Sequence, residues 1–414
     1  MTELQMMGIR ASAAAKILAT ATTEQKNNAL RAISVALLEN KEEILKANEA
    51  DLTKARECGM SPSMLDRLAL SADRIESIAN AVLKVVALPD PIGEVLNETE
   101  LPNGLNVSKI RVPMGVIGII YEARPNVTVD SAVLCLKAGS AAFLRGGKET
   151  ISSNLALEGI MRKAIASVGL PEDCIQLLHD TSRETARDMM RLRGYIDVLI
   201  PRGGAGLISS VVENASVPVI ETGTGVCHIY VAETADLDIA ANIIFNAKTQ
   251  RPSVCNAAET LLVNEKIAEK FLPIAQKRLA EKNVELRCDT RAANILSGVT
   301  NACDGDFGRE FLDYILAVKV VDSTDQAIEH IRTYSTKHSD CIVTSDDAEA
   351  ARFTASIDSA VVYINASTRF TDGEEMGFGA EIGISTQKLH ARGPMGLREI
   401  CSYKYIVRGT GQVR

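Results

Sequence analysis

From Val112 onward, short apolar runs alternate with stretches of helical periodicity, and this alternation restricts the fold more than any other feature. The strand candidates are Val116–Ile120, Ala141–Leu144, Ile175–Leu178, Val198–Ile200, Ile229–Val231, Glu259–Val263, Leu316–Val321 and Cys341–Thr344, with helices around 128–138, 152–168 and 183–192. Strands joined through helices build a parallel sheet covered on both faces. Because 414 residues exceed one ordinary core, the pattern predicts an α/β protein with two doubly wound domains.

The chain ahead of this region has a different character. Residues 1–90 show helical periodicity, and Asn103-Gly104 is a strong turn signal between the strand candidates Glu94–Leu101 and Leu105–Val112. The alternation of the second strand slips near Lys109, which indicates a β-bulge. A hairpin without its own core needs a partner, so we expect a contact in a dimer or tetramer.

Charge and cysteine content exclude several classes of function. The net charge of −8 argues against nucleic acid or an anionic membrane as a partner, since both need a basic surface. The sequence shows no secretory leader and no apolar run of about 18 residues, so we expect a cytoplasmic protein. Nine cysteines without CxxC spacing disfavour a disulfide framework and a zinc cluster, and no metal site is predicted.

One cysteine lies in a context that favours reactivity. Cys255 follows Arg251 and the Pro252-Ser253 break, just before the strand Leu261–Val263. Positive charge and the amides of a helical turn both favour a thiolate, and this segment offers both in principle. The alternative is a buried structural cysteine, and this local context leaves the two interpretations about equal.

Two glycine-rich turns are candidates for ligand binding. Glu221 ends a strand and precedes Gly223 and Gly225, which would place a carboxylate and exposed amides at the carboxyl edge of a sheet. Gly203 and Gly204 follow a strand and precede a helix, where glycine lets a pyrophosphate approach the helix N-terminus. A plain connection between elements is the alternative for each turn.

A third turn bears on the choice of cofactor. Arg145 and Lys148 flank two glycines at the end of the Ala141–Leu144 strand. A site for NAD favours an acid at this place, whereas NADP needs cations for its 2′-phosphate. The two cations favour NADP(H), with a solvated basic loop as the alternative.

In this order, the motifs resemble the aldehyde dehydrogenase superfamily over essentially the whole chain. The resemblance runs from Pro113–Gly118, through the glycine turns and Cys255, to Glu310-Phe311-Leu312. Three further segments are similar to the branch that reduces L-glutamyl 5-phosphate; they are Tyr121–Thr128, Gln250–Asn256 and Val321–Ile342. This branch implies NADPH-dependent reduction of the acyl phosphate to L-glutamate 5-semialdehyde, with release of phosphate, in L-proline biosynthesis.

The resemblance also implies roles for individual residues. Cys255 matches the catalytic thiol, which would form a thioester, and Asn126 matches the asparagine that completes the oxyanion hole. The remaining matches concern the cofactor. Gly203 and Gly204 match the residues that bind the pyrophosphate, and Glu310 matches the acid that binds the nicotinamide ribose. Glu221 is also expected among the cofactor-binding residues. Glu221 also matches the base that activates water in hydrolytic members; since this reaction includes no hydrolysis, we expect its side chain to be turned away or held in a hydrogen bond.

The implied substrate carries a phosphate and an α-carboxylate, so the cleft must be locally positive despite the acidic chain. The candidate substrate-binding residues are Arg124, Lys248, Arg251 and Arg369, with a plain surface location as the alternative for each. His330 and His338 are expected to be structural.

The expected organisation has three parts. Residues 1–100 and 115–225, with part of 361–382, would form the NADP-binding domain; 226–360 would form the catalytic domain; 101–114 and 383–414 would form an oligomerisation module. We expect a homo-oligomer with functional coupling to glutamate 5-kinase. Two alternatives stay open: a CoA-acylating or ordinary aldehyde dehydrogenase, and a catalytically idle relative that binds nucleotide.

Overall fold

A computed structural model describes residues 2–414, with Ser63 described by its backbone alone. The α-helices are α1 (Glu3–Leu18), α2 (Thr23–Glu39), α3 (Lys41–Glu57), α4 (Pro62–Leu68), α5 (Ala72–Ala87), α6 (Asn126–Lys137), α7 (Ile151–Ser167), α8 (Arg183–Met190), α9 (Ala205–Asn214), α10 (Leu237–Thr249), α11 (Glu265–Ala280), α12 (Thr290–Ile295), α13 (Thr324–Tyr334) and α14 (Asp347–Ser356). The strands are β1 (Val95–Glu100), β2 (Asn106–Pro113), β3 (Val116–Tyr121), β4 (Ala141–Arg145), β5 (Ile175–Leu177), β6 (Val198–Arg202), β7 (Cys227–Val231), β8 (Ala258–Asn264), β9 (Glu285–Cys288), β10 (Thr300–Asn301), β11 (Ile315–Val321), β12 (Ser339–Val343), β13 (Val361–Ile364), β14 (Ile384–Ser385), β15 (Gly393–Pro394) and β16 (Cys401–Arg408).

The first sheet is parallel, with the strand order β5-β4-β3-β6. Alternate residues of β3 enter different cores: Ile117 and Ile119 pack into one, and Val116 and Ile120 into the other. Both faces are covered because a strand directs successive side chains to opposite sides, and here all six residues of β3 are buried.

The order of this sheet creates a crevice at its carboxyl edge. The chain proceeds from β3 to β4 and β5 on one side, and β6 then pairs with β3 on the other side. Doubly wound sheets bind ligands where the order reverses, at the carboxyl ends of the strands. Here that place lies between Tyr121, at the end of β3, and Arg202, at the end of β6, which pair with each other.

The second sheet is also parallel and has the order β10-β9-β11-β8-β7-β12-β13. Its core contains Ile229, Leu261, Phe271 and Val318. The loop from residue 250 to residue 257 joins α10 to β8, so it lies at the amino edge of this sheet.

A third, antiparallel sheet has the order β1-β2-β16. The predicted hairpin is present, and its register shifts between Val95 and Asn97, opposite Ile110 and Lys109. The bulge therefore lies in β1, across from the slip in the sequence pattern. The predicted boundary at residue 100 needs correction, because β1 pairs with β2 in this sheet.

The boundary predicted at residue 383 also needs correction. Ala391, Met395, Leu397 and Ile400 pack into the first core because their side chains are apolar and buried. The last strand of this tail, β16, pairs with β2 of the hairpin. The predicted α/β class, with two doubly wound sheets and a β-hairpin module, is confirmed.

Among the helices of residues 2–414, none combines the length and the apolar character needed to cross a membrane.

Candidate functional site

Cys255 lies in the turn between α10 and β8 and is partly exposed. Its backbone carbonyl accepts a hydrogen bond from the thiol of Cys227, at 3.2 Å. The backbone of Gly225 passes directly over it: a Cβ at residue 225 would lie 1.4 Å from the Cys255 carbonyl oxygen. The backbone at Gly225 is therefore packed against the loop from residue 250 to residue 257, which we call the thiol loop.

The surroundings of Cys255 favour the protonated form of its thiol. Burial raises its pKa to about 11, and the carboxylates of Glu310 and Glu381 act in the same direction. The guanidinium of Arg202 opposes them by favouring the thiolate.

The surroundings of this thiol differ from the expectation in two respects. The loop contains turns instead of a helix, and α10 ends at Thr249, just ahead of it, so the loop itself supplies no helix N-terminus to the thiol. Arg251 is exposed, and the cation with the largest effect on the pKa of the Cys255 thiol is Arg202.

Several arginines gather around the thiol. Burial lowers the pKa of Arg124 to about 10, and repulsion from Arg67, Arg202 and Arg251 adds to the effect, while Cys255 opposes it. The strongest charges around Arg124 are thus cations. Such a cluster favours the binding of an anion with more than one charge.

Arg369 supports the thiol loop from the far side. Its Nε donates to the Gln250 Oε1 at 2.7 Å, and its Nη1 donates to the side-chain oxygen of Asn256. Asn256 in turn donates to the carbonyl of Thr371 at 2.9 Å. Burial lowers the pKa of Arg369, which is also coupled electrostatically to Cys255. The predicted residue Arg369 is therefore adjacent to the thiol.

Lys248 is not available for a substrate. Its Nζ lies 2.6 Å from the Glu259 Oε2, and both side chains are completely buried. Burial lowers the pKa of Lys248 and raises that of Glu259 to about 7. The predicted substrate-binding role of Lys248 is wrong, because its ammonium group is buried and already paired with Glu259.

Glu310 links the thiol loop to the segment with the glycine turn. Its Oε1 accepts a hydrogen bond from the backbone N–H of Gly225 at 2.8 Å. Burial raises the pKa of Glu310, and this hydrogen bond opposes the shift. The carboxylate is therefore fixed close to the thiol.

Asn126 is the first residue of α6, at the crevice of the first sheet. Its side-chain nitrogen donates to the Asp130 Oδ2 at 2.9 Å. Burial raises the pKa of Asp130 to about 6, with Asn126 and Arg202 opposing the shift. One amide hydrogen of Asn126 is engaged by Asp130, and its other hydrogen can serve an oxyanion.

The second glycine turn lies at the start of α9, where Gly204 is the N-cap residue. The N–H of Gly204 donates to the Glu122 Oε2 at 3.0 Å. Nearby, at the end of β4, the Nη2 of Arg145 donates to the Thr181 carbonyl at 2.7 Å, and Lys148 is exposed. Both glycines and both cations thus lie along the carboxyl edge of the first sheet.

Glu221 is held through its backbone. Its N–H donates to the Gln387 Oε1 at 2.8 Å, and the Gln387 Nε2 donates to the carbonyl of Val219 at 3.2 Å. Its side chain is half-buried. Glu221 is not among the strongest charges acting on the Cys255 thiol, which are Arg202, Glu310 and Glu381.

The sequence interpretation missed three charged groups of the site. Arg202 directly precedes the Gly203-Gly204 turn, but the sequence gives no sign that its charge acts on the thiol. Glu381 accepts a hydrogen bond from the Gly373 N–H at 2.9 Å and reaches the site from a distant segment, as Arg67 does from α4. Of the three, only Arg202 could have been suspected from the sequence, because it is adjacent to the Gly203-Gly204 turn.

No group of three or more His, Cys, Asp or Glu side chains within residues 2–414 is arranged to hold a metal ion.

Comparison with known proteins places this geometry in a family. Residues 3–303 match the model of the aldehyde dehydrogenase family. The chain is 58% identical over 412 residues to a gamma-glutamyl phosphate reductase of Clostridium perfringens, covering 100% of this chain and 99% of that one. It is 57% identical over 414 residues to the protein of that name from Listeria monocytogenes, with 100% of both chains covered.

A solved structure is similar throughout. The crystal structure of gamma-glutamyl phosphate reductase from Thermotoga maritima superimposes with a TM-score of 0.98 at 49% identity, covering 100% of both chains. The chain therefore belongs to the aldehyde dehydrogenase family, in the group of the gamma-glutamyl phosphate reductases.

Proposed function

We propose that this protein reduces L-glutamyl 5-phosphate to L-glutamate 5-semialdehyde with NADPH and releases phosphate, in L-proline biosynthesis. One observation carries the proposal: the Cys255 thiol is coupled to three arginines, Arg124, Arg202 and Arg369. A thiol in such surroundings suits an acyl group whose leaving group is an anion. The names of the similar proteins agree with this substrate.

The residues at the crevice fit a nicotinamide dinucleotide. Gly203 and Gly204 precede α9, whose first backbone amides can bind a pyrophosphate. Arg145 and Lys148 supply cations at the neighbouring strand end, which supports NADP over NAD. Glu310, held near the thiol by Gly225, would bind the nicotinamide ribose. Bound NADPH supplies the hydride.

The thiol of Cys255 performs the acyl transfer. Its sulfur attacks the γ-carbonyl and forms a thioester, while the phosphate leaves with the thiol proton as hydrogen phosphate. The carbonyl oxygen becomes negative during attack, and Asn126 and the Cys255 N–H would stabilise it; losing one such donor typically costs about 10²- to 10³-fold in rate. After reduction, the hemithioacetal releases the aldehyde and restores the sulfur.

The arginines supply positive charge for the two anionic ends of the substrate. Arg202 and Arg251 both repel Arg124, so binding of a phosphate would relieve that repulsion. The guanidinium of Arg202 favours the thiolate and so prepares the sulfur for attack. Arg369 both supports Asn256 and adds to the positive field.

The third sheet supports a homo-oligomer. Every residue of β1 is exposed, and β16 presents Tyr403, Tyr405 and Val407 on one face. Apolar residues on an edge strand favour pairing with another chain. Functional coupling to glutamate 5-kinase is part of this proposal, because an acyl phosphate hydrolyses in water and a short transfer would preserve it.

One assay tests the proposed reaction in its reverse direction. The purified protein is given L-glutamate 5-semialdehyde with NADP, with and without inorganic phosphate, and then with NAD or CoA in their place. The expected result is nucleotide reduction that requires phosphate, prefers NADP and ignores CoA. Oxidation that needs CoA, or that proceeds without phosphate, would assign a CoA-acylating or hydrolytic aldehyde dehydrogenase instead. A chain that binds NADP but oxidises nothing would be the idle relative.

A further inference from the structure

The side chain of Glu122 occupies the place that the proposed cofactor needs. It comes directly after β3, and its Oε2 accepts the hydrogen bond from the Gly204 N–H at 3.0 Å. The same oxygen would lie 2.5 Å from a Cβ at residue 203, so only glycine leaves room for the carboxylate there. An exposed glutamate from another element thus serves as the anion at the start of α9.

The chain holds Glu122 in this position from both sides. Its backbone N–H donates to the carbonyl of Arg202 at 3.2 Å, across the crevice between β3 and β6. The next residue, Ala123, has a φ of 24°, in the range that L-residues seldom adopt. Backbone in such a conformation persists where surrounding contacts determine it and is frequent in functional segments.

This contact coincides with the place where the order of the first sheet reverses, which is a ligand site in doubly wound sheets. A pyrophosphate at the Gly203-Gly204 turn would need the same N–H that Glu122 now holds. Two anions cannot share one donor without strong repulsion. The carboxylate and the cofactor are therefore mutually exclusive at this turn.

We infer that Glu122 is an internal competitor of the cofactor's pyrophosphate: its carboxylate holds the Gly203-Gly204 turn in the absence of a dinucleotide and leaves when one binds. This inference rests on the proposed cofactor site. Arg145 lies close enough to be coupled electrostatically to Glu122, although burial is the main influence on its pKa, so the displaced carboxylate remains near a cation. The competitor weakens binding of the reduced and oxidised cofactor alike.

Direct titration with NADPH, followed by the fluorescence of its nicotinamide, tests this inference on the full chain. We compare the wild type with E122A and E122Q. E122A removes the hydrogen bond between Glu122 and the Gly204 N–H, which NADPH would otherwise have to displace. Because one ordinary hydrogen bond is involved, E122A should bind NADPH about two- to tenfold more tightly. E122Q keeps an acceptor but no charge, so its Kd should fall between the other two.

E213Q is the matched control. Glu213 is exposed near the far end of α9, where it accepts a hydrogen bond from Ser209 at 2.7 Å, so this variant makes the same change in charge on the same helix. Its Kd for NADPH should equal that of the wild type. An unchanged Kd in E122A would overturn the competitor, and a weaker one would make Glu122 a cofactor ligand instead. If neither the wild type nor E122A binds NADPH, the proposed cofactor site fails and this inference falls with it.

Discussion

At the scale of single residues, the reactivity of the thiol depends on a balance of charges that no local motif contains. Cys255 is recognisable from its sequence context, yet the groups that set its pKa come from three distant segments: Arg202, Glu310 and Glu381. Burial and the two carboxylates favour the neutral thiol, and Arg202 favours the thiolate. The residue scale therefore predicts a nucleophile whose thiolate fraction depends on Arg202.

The pH dependence of alkylation measures this balance. Below a pKa of about 11, the thiolate fraction of Cys255 rises about tenfold for each pH unit, and the rate of reaction with iodoacetamide rises with it. Replacing Arg202 with Gln removes the cation that favours the thiolate, so the pKa rises and the rate at a fixed pH falls several-fold. R251Q is the control and should keep the wild-type rate, because Arg251 is not among the strongest charges on the thiol. An equal loss in both variants would reject the assignment to Arg202.

At the scale of elements, a continuous set of contacts holds the thiol loop against the cofactor side. The buried pair of Lys248 and Glu259 joins the two ends of the loop, and the Oε1 of Glu259 accepts the N–H of Leu312 at 3.3 Å. Leu312 follows Glu310, whose carboxylate holds Gly225 over Cys255. The position of the thiol is therefore set by the connection between α10 and β8 together with the segment from 310 to 312.

A single methyl group at residue 225 should disturb the chemistry more than the fold. In G225A the new Cβ would clash with the carbonyl of Cys255, so the thiol loop must shift. Misplacement by about 1 Å can cost on the order of 10²-fold in rate. We expect kcat/KM to fall by that order while unfolding in urea stays cooperative. G159A, in α7, has open space around the added group and should retain full activity. Normal turnover by G225A would contradict the packing described.

Breaking the buried ion pair should cost stability. E259Q leaves the Lys248 ammonium buried without its partner, and losses of about 3–5 kcal/mol are typical of such changes. Denaturation in urea measures the free energy of unfolding. The surface pair of Arg278 and Glu281 provides the control: E281Q should cost no more than about 1 kcal/mol. If K248M/E259L is as unstable as E259Q, the loss comes from packing and not from an unpaired charge.

At the scale of the whole molecule, the sequence pattern was sufficient to predict the parallel sheets and the helices that cover them. The predicted strands at Val116–Ile120 and Ala141–Leu144 differ from the observed ones by a single residue at one end, because buried parallel strands read as continuous apolar runs. Long-range placement was not predictable: Lys248 has the same local context as a surface cation, and its buried partner follows eleven residues later across the thiol loop. The sequence also did not predict that part of the tail after residue 383 packs into the first core while another part forms β16, because both depend on long-range contacts.

The exposed apolar residues of the third sheet predict that the protein forms an oligomer. Y405E/V407E places two charges on the apolar face of β16, where a partner strand would have to desolvate them. Light scattering after size exclusion should show the wild type as an oligomer and this variant as smaller species. Y314E, which alters a tyrosine on the second domain, should leave the mass unchanged. A wild type that is monomeric at assay concentration would remove the proposed assembly.

The central claim is that the sulfur of Cys255 forms a covalent bond with the substrate during turnover. The most direct test measures phosphate-dependent turnover and NADPH binding on one preparation of C255A. We predict that turnover falls on the order of 10⁴-fold or more, as is typical when a nucleophile is removed, while the Kd for NADPH stays at the wild-type value. Turnover within tenfold of the wild type would show that the reaction does not pass through this thiol.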